Sequence, residues 1–299
     1  MKTTRAALAA LAAVGALTLA ACTAEPGAGE DTGGGDTGAD SGDNGDSGDE
    51  GGDGGGDSIR IGIKFDQPGL GYKDGDTFTG FDVDVATYIA DQLGYSEDQI
   101  EWVESPSPQR ETMLQNEQVD MIVATYSITD ERDEVVDFAG PYFVAGQDLL
   151  IRSEDAGTIT GPDVLNGKKL CSVSGSTSAQ RVKDEFSPDT QLVELNGYSE
   201  CIQYLVGGQV DAVTTDDIIL AGLAAADGSG ELQVVGNTFS EENYGVGLPP
   251  GSDQCQPVTD AINSMIEDGS WEEFITSNTE GTGYEPNADL NPPTPQECA

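Results

Sequence analysis

The chain has 299 residues, with 55 Asp plus Glu against 12 Lys plus Arg, no His, and a formal net charge of −43 at pH 7. So negative a balance argues against nucleic acid as a partner, because binding a polyphosphate needs a basic face. Without His the usual zinc sites, triads and imidazole acid–base steps fall away, and the five Cys show no CxxC spacing, so neither a metal nor a cofactor is expected.

The N-terminus reads as an export signal. Lys2 and Arg5 form a charged start, and residues 6–19 form an apolar run too short and Ala-rich to span a bilayer well. The run closes on "LTLAAC", whose small residues ahead of Cys22 are similar to a bacterial lipobox. Residues 1–21 are therefore expected to be a lipoprotein signal peptide, and Cys22 the lipidated mature N-terminus. Residues 22–57 are nearly all Gly, Asp, Glu, Ser and Thr without an aromatic, which cannot bury a core and reads as an acidic tether. A flexible chain of about 35 residues spans roughly 30–35 Å. No later stretch is apolar for long enough to cross a bilayer.

The remainder suffices for one large or two small α/β lobes. "IRIGIKF" at 59–65 alternates like a strand, and residues 80–94, "GFDVDVATYIADQLG", have helical spacing through Val83, Val85, Tyr88, Ile89 and Leu93 before a closing Gly. "IEWVES" follows as a strand, "QRETMLQNEQ" as a helix, "VDMIVAT" as a strand and "DLLIRS" as an extended run. Strands alternating with helices imply parallel α/β architecture. A second series starts with "GKKLCSV" (strand), "SAQRVKDEF" (helix), "QLVELN" (strand), "SECIQYLVGGQ" (helix) and "VDAVTTD" (strand). Then come a strand and turn in "ENYGVGLPPG", a helix along "VTDAINSMIEDGSWEEFI", and the Pro-rich tail "EPNADLNPPTPQECA". The expected division is residues 58–150 plus 243–285 for a first lobe, 151–242 for a second, and 286–299 for the tail.

Two strings echo each other, "NEQVDMIVAT" and "GGQVDAVTTD". Ligands of open α/β sheets sit beyond the carboxyl ends of strands, so the echo suggests two similar lobes presenting polar loops to one cleft. The four Cys after Cys22 allow three pairings, and Cys171–Cys201 with Cys255–Cys298 is favoured because each pair keeps to one region of the chain. "YSITDERDEVVDF" sets a single cation, Arg132, among Asp130, Glu131, Asp133, Glu134 and Asp137. Either it makes a surface ion pair, worth about 0–1 kcal/mol, or it holds an anion that is not part of the protein.

"GFDVDVATYIADQL" resembles the signature of the family 3 bacterial solute-binding proteins, the polar amino acid receptors of ABC importers, and "ATYSITDERDEVVDFAGPYF" resembles their carboxylate-binding segment. The similarity runs from about residue 58 to 275. The lipobox, acidic linker, "IKFDQPGLGY" and "QRETMLQNEQVDM" together look most like actinobacterial glutamate-binding lipoproteins. The resemblance implies a two-lobed, type II periplasmic-binding-protein-like α/β fold with the ligand cleft between the lobes. It implies that Arg132 pairs bidentately with a ligand α-carboxylate, helped by Thr125, Ser127 and, from the other lobe, Ser176 and Thr177. The "SGSTS" loop opens a helix, so its groups can meet an anion, cap the helix, or both. Asp216 matches the partner of the ligand α-ammonium, with Asp217 beside it as the alternative. Lys64 and Arg110 match positions that carry a cation for a distal carboxylate, while Phe65 and Tyr72 read either as packing on ligand methylenes or as ordinary loop or core residues.

The implied function is a membrane-tethered, extracellular receptor for glutamate or aspartate, acting as a monomer with ABC permease subunits as its partners. Glutamine and asparagine are the alternative ligands. Dehydratases of prephenate-like substrates resemble the same family, but the chain lacks His and any GxSxG or SxxK string, so a non-enzymatic role is expected.

Overall fold

The computed structural model describes residues 58–227, 229–296 and 298. The expected signal peptide, Cys22 and the acidic linker lie outside the described residues. In chain order the fold begins with β1 (Ile59–Ile63), a hairpin of β2 (Tyr72–Asp74) and β3 (Thr77–Thr79), α1 (Phe81–Gln92), β4 (Ile100–Glu104), α2 (Arg110–Gln115), β5 (Met121–Ile122), α3 (Asp130–Asp133) and β6 (Asp137–Ala145). It continues through β7 (Gln147–Arg152), β8 (Lys169–Val173), α4 (Ser178–Arg181), β9 (Gln191–Leu195), α5 (Tyr198–Val206), β10 (Ala212–Asp216), α6 (Asp217–Asp227) and β11 (Leu232–Val234). β12 (Glu242–Leu248), α7 (Cys255–Glu267) and α8 (Ser270–Thr279) follow.

Two five-stranded sheets organise these elements, one in the order β4-β1-β5-β12-β6 and the other β11-β7-β10-β8-β9. Each forms the centre of a lobe. Ile61 and Ile63 of β1 are fully buried, as are Val85, Ala86, Ile89 and Ala90 of α1, which gives the first lobe its core. Each large aliphatic side chain so buried contributes about 1.5–3 kcal/mol.

The sheets are mixed rather than parallel throughout. β1 runs parallel to β4 and β5, and β8 parallel to β9 and β10, but β12 is antiparallel to β5 and β6, and β7 is antiparallel to β10 and β11. The reason is topological. β6 passes straight through Gly146 into β7 of the other sheet, so no crossover helix returns the chain for a parallel pairing. The sequence-based boundary at residue 150 therefore falls inside β7, all of which pairs in the second sheet.

Other elements also differ from expectation. "VDMIVAT" pairs only at Met121–Ile122, and "QRETMLQNEQ" is helical only over Arg110–Gln115. The last long helix divides into α7 and α8 where Gly269 takes a left-handed φ of 88°. α6 follows β10 without a loop, the strand ending on Asp216 and the helix opening on Asp217, so no Gly, Pro or connecting segment marks the change in the sequence.

Both expected disulfides are present, Cys171–Cys201 within the second lobe and Cys255–Cys298 tying the tail to α7. Asn291 of the tail bonds both backbone groups of Val144, accepting from its N–H at 3.0 Å and donating to its carbonyl at 2.8 Å. Trp271 is buried in the first lobe, with its indole N–H on Tyr142 O at 2.8 Å, while Trp102 on β4 lies tilted against Phe78, ring centroids 5.7 Å apart. Among the described residues no helix is long and apolar enough to cross a membrane.

Candidate functional site

A polar cavity lies where the two lobes face each other, beyond the ends of β5 and β10. Seven of the eight expected ligand-facing residues line it: Arg110, Thr125, Ser127, Arg132, Ser176, Thr177 and Asp216. Lys64 does not. Its ammonium is buried 3.1 Å from Asp66 and borders a neighbouring groove with Glu104 and Glu200. Phe65 and Tyr72 do not line the cavity either.

The first lobe supplies two cations. Arg132 sits on the single turn of α3, whose cap Thr129 accepts a bond from the Arg132 N–H. Its Nη1 donates to Ser127 O at 2.7 Å, its Nε lies 3.2 Å from Glu111, and its Nη2 reaches across the cleft to Gly175 O at 3.3 Å. None of the five acids flanking it in sequence pairs with it, so it is not the surface ion pair that its neighbourhood suggests. Arg110 opens α2 and is 3 % exposed. Its guanidinium lies 5.0 Å from the ring centroid of Tyr126, and that of Arg132 lies 4.9 Å from the same ring. The ring's electron-rich face partly offsets the repulsion between two like charges. Arg110 has a long bond to Ser105 O at 3.4 Å and, among the described residues, no carboxylate within 4.0 Å. Burial pulls its pKa down and the Arg132 charge adds to this.

Thr125 follows β5 with φ 46°, a conformation that a β-branched residue rarely adopts and that stores strain beside the cavity. Its hydroxyl is 2.7 Å from Ala124 O and 3.2 Å from Gln67 Oε1. The second lobe answers with hydroxyls and an acid. Thr177 precedes α4 but makes no capping bond with its side chain, so that hydroxyl is not consumed by the helix. Asp216 ends β10, and Tyr244 donates to its Oδ2 at 2.6 Å. Burial pushes the Asp216 carboxyl up from its ordinary range, and Glu242 nearby adds to this, while the Tyr244 bond opposes it.

The neighbouring Asp217 points elsewhere. Its Oδ1 accepts from the backbone N–H of Gly146 at 3.2 Å and of Ile218 at 2.8 Å, and its carboxyl is raised to about 6 by burial. Beneath the site, Asp82 at the start of α1 accepts from Tyr142 OH at 2.7 Å and is likewise raised to about 6 by burial. Sequence reasoning missed Gln67, Ser107, Ser178, Tyr198, Thr215 and Ile219 of the lining. Thr215 lies within the echoed "VDAVTTD", which was the available signal; Tyr198 joins it through a hydroxyl–hydroxyl bond of 2.7 Å that no sequence pattern announces.

A buried cavity with two guanidiniums on one wall and a carboxyl with hydroxyls on the other suits a small zwitterion carrying extra negative charge. Comparison with known proteins agrees in kind. The chain is 47% identical over 235 residues to the glutamate-binding protein GluB of Corynebacterium glutamicum, covering 74% of this chain and 78% of that one. It is 36% identical over 222 residues to the ABC transporter glutamine-binding protein GlnH of Bacillus subtilis, covering 73% and 80%. Among solved structures, an ancestral arginine-binding protein bound to glutamine matches with a TM-score of 0.67 and 31% identity over 74% of this chain and 96% of that one. Residues 59–278 match the sequence profile of the bacterial extracellular solute-binding proteins, family 3, and the chain belongs to that family.

Proposed function

We propose that the protein is a membrane-tethered receptor that closes its two lobes around glutamate, or aspartate, and delivers it to an ABC permease. The observation that carries this reading is Arg110, a buried guanidinium with no carboxylate within 4.0 Å among the described residues, in a cavity that already holds Arg132. Buried cations are costly unless an anion joins them. A dicarboxylic amino acid brings two carboxylates. Arg132 holds the α-carboxylate as a fork, Arg110 holds the distal one, and Asp216 faces the ammonium. Thr125, Ser127, Ser176 and Thr177 supply the remaining polar contacts. The likeness to GluB supports glutamate, and the relatives named above are binding proteins, so we read the chain as a binder acting as a monomer and not as a dehydratase. Cys22 carries the lipid and residues 22–57 the tether, a part of the reading that stands only if Cys22→Ala leaves the membrane fraction.

The test is calorimetric titration of Arg110→Met and Arg132→Met with glutamate and glutamine at fixed salt. Removing one partner of a buried charge pair costs about 2–5 kcal/mol, roughly 30- to several thousand-fold in Kd. Arg110→Met is expected to weaken glutamate by that factor and glutamine far less, while Arg132→Met weakens both alike. Equal losses for both ligands with Arg110→Met remove the distal-carboxylate role.

A further inference from the structure

Lys64 and Asp66 stand beside the cavity without lining it. Lys64 ends the run that begins with β1, and its side chain is 4 % exposed. Its ammonium lies 3.1 Å from Asp66 Oδ1. The other oxygen of that carboxylate, Oδ2, accepts the backbone N–H of Tyr198 at 2.9 Å. Tyr198 is the first residue of α5, a nine-residue helix of the second lobe. One carboxylate thus joins a cation of the first lobe to a backbone donor of the second.

The approach is built for closeness. A Cβ on Gly197 would lie 2.7 Å from Asp66 Oδ2, inside the limit for such contacts, so a residue without a side chain lets the carboxylate reach the helix. On the far side the contact leads back to the cavity. The Tyr198 hydroxyl meets Thr215 Oγ1 at 2.7 Å, and Thr215 directly precedes Asp216. The groups facing Lys64 are Asp66, Glu104 and Arg110. The first two attract it, and the third, a like charge, repels it.

We propose that Lys64 and Asp66 form a closing latch: a ligand-independent bond across the cleft that sets the balance between open and closed lobes, and with it the affinity for every ligand. This rests on the reading of the cavity as an amino acid site that closes. Apparent affinity scales with the fraction of molecules in the closed form. A charge-assisted bond made only in that form raises the fraction, whereas a ligand-contacting cation would change the preference among ligands.

The two roles separate experimentally. Asp66→Ala, Lys64→Met and Gly197→Ala are titrated with glutamate and with glutamine, dissociation rates are measured by stopped flow, and small-angle scattering is recorded without ligand. The expected result is a loss of about 5- to 100-fold, the same for both ligands in each variant, carried by faster dissociation. The unliganded variants should scatter as more open particles than the wild type. Gly197→Ala leaves Lys64 and Asp66 in place and guards against a variant that simply fails to fold. A selective loss of glutamate with Lys64→Met overturns the latch and restores Lys64 as a ligand cation. Unchanged affinity in folded Asp66→Ala overturns it as well. If the wild type binds neither amino acid, the functional reading has failed, and the scattering comparison alone then decides the latch: equal dimensions for wild type and Asp66→Ala reject it.

Discussion

Residues 118–125 and 209–216 are two versions of one device. In each, the strand lies at the middle of its five-stranded sheet, β5 in one and β10 in the other. In each, an Asp ahead of the strand exchanges two bonds with a residue at the start of the neighbouring strand. The Asp120 N–H donates to Arg60 O at 2.8 Å and Asp120 Oδ2 accepts the Arg60 N–H at 2.7 Å. The Asp211 N–H donates to Lys169 O at 2.8 Å and Asp211 Oδ2 accepts the Lys169 N–H at 2.7 Å. Five residues further on, the copies part company: one reaches Thr125 with a left-handed backbone, the other Asp216 in an unbroken strand. The supporting bonds are duplicated while the terminal chemistry is not. The cleft therefore has a cationic wall where Thr125 lets the chain turn toward Ser127 and Arg132, and an acidic wall where β10 ends on a carboxyl. A symmetrical pair of lobes would present like charges to each other and leave nothing for a zwitterion to complete.

The comparison breaks most visibly at its ends. Asp216→Asn is expected to weaken glutamate and glutamine alike, on the order of 30- to 1,000-fold by calorimetry, because both share the ammonium. Asp217→Asn should leave both affinities within about threefold, since its carboxylate serves Gly146 and its own helix. An unaffected Asp216→Asn would show that the acidic wall does not hold the ligand. Next come the duplicated bonds. Asp120→Ala and Asp211→Ala should each destabilise the domain by about 1–3 kcal/mol in urea unfolding, with ligand affinity unchanged in the folded protein. Asp120 also holds the half-exposed Arg60 guanidinium at 2.6 Å, a screened contact that adds little. A large change in affinity from either variant would mean that support and chemistry are not separable.

The smallest effect concerns pH. Asp82 and Asp217 have carboxyls raised to about 6, so the folded state keeps protons that the unfolded chain releases near pH 4. Their contribution favours folding below that range and is lost as pH rises through about 6. Unliganded stability should therefore fall as pH rises from about 4, through about 6 for these two and on to about 8 for Asp216, and Asp217→Asn should flatten the part between pH 4 and pH 6 by on the order of 1–2 kcal/mol. Identical slopes in the two proteins would reject the assignment.

Much of this was readable from the residues. α1 was visible because its buried positions recur every three to four residues, and Arg132 because one arginine among five acids demands a reason. The echo located both strand ends of the cleft. What sequence could not decide was direction at the junctions. Asp216 and Asp217 are adjacent where a strand becomes a helix, and only the path of the chain turns one into the cavity and the other toward Gly146. Lys64 stands outside the cavity lining for a similar reason. Alternation along β1 ends at Ile63, and whether the next cation meets a ligand or Asp66 depends on a loop whose partner lies in the other lobe. Gln67, Ser107 and Tyr198 were invisible because their place exists only when the lobes meet.

The chain has two tryptophans, and both sit in the first lobe, away from the cavity lining. Their emission is thus a one-sided gauge. It reads the melting of the sheet that contains β1 and is nearly blind to an amino acid entering the cleft, where the aromatic neighbours are tyrosines. A flat fluorescence titration would not mean that nothing bound. The same asymmetry has a use: where indole emission and far-UV ellipticity trace different unfolding curves, the gap between them measures how far the second lobe persists, or fails, on its own.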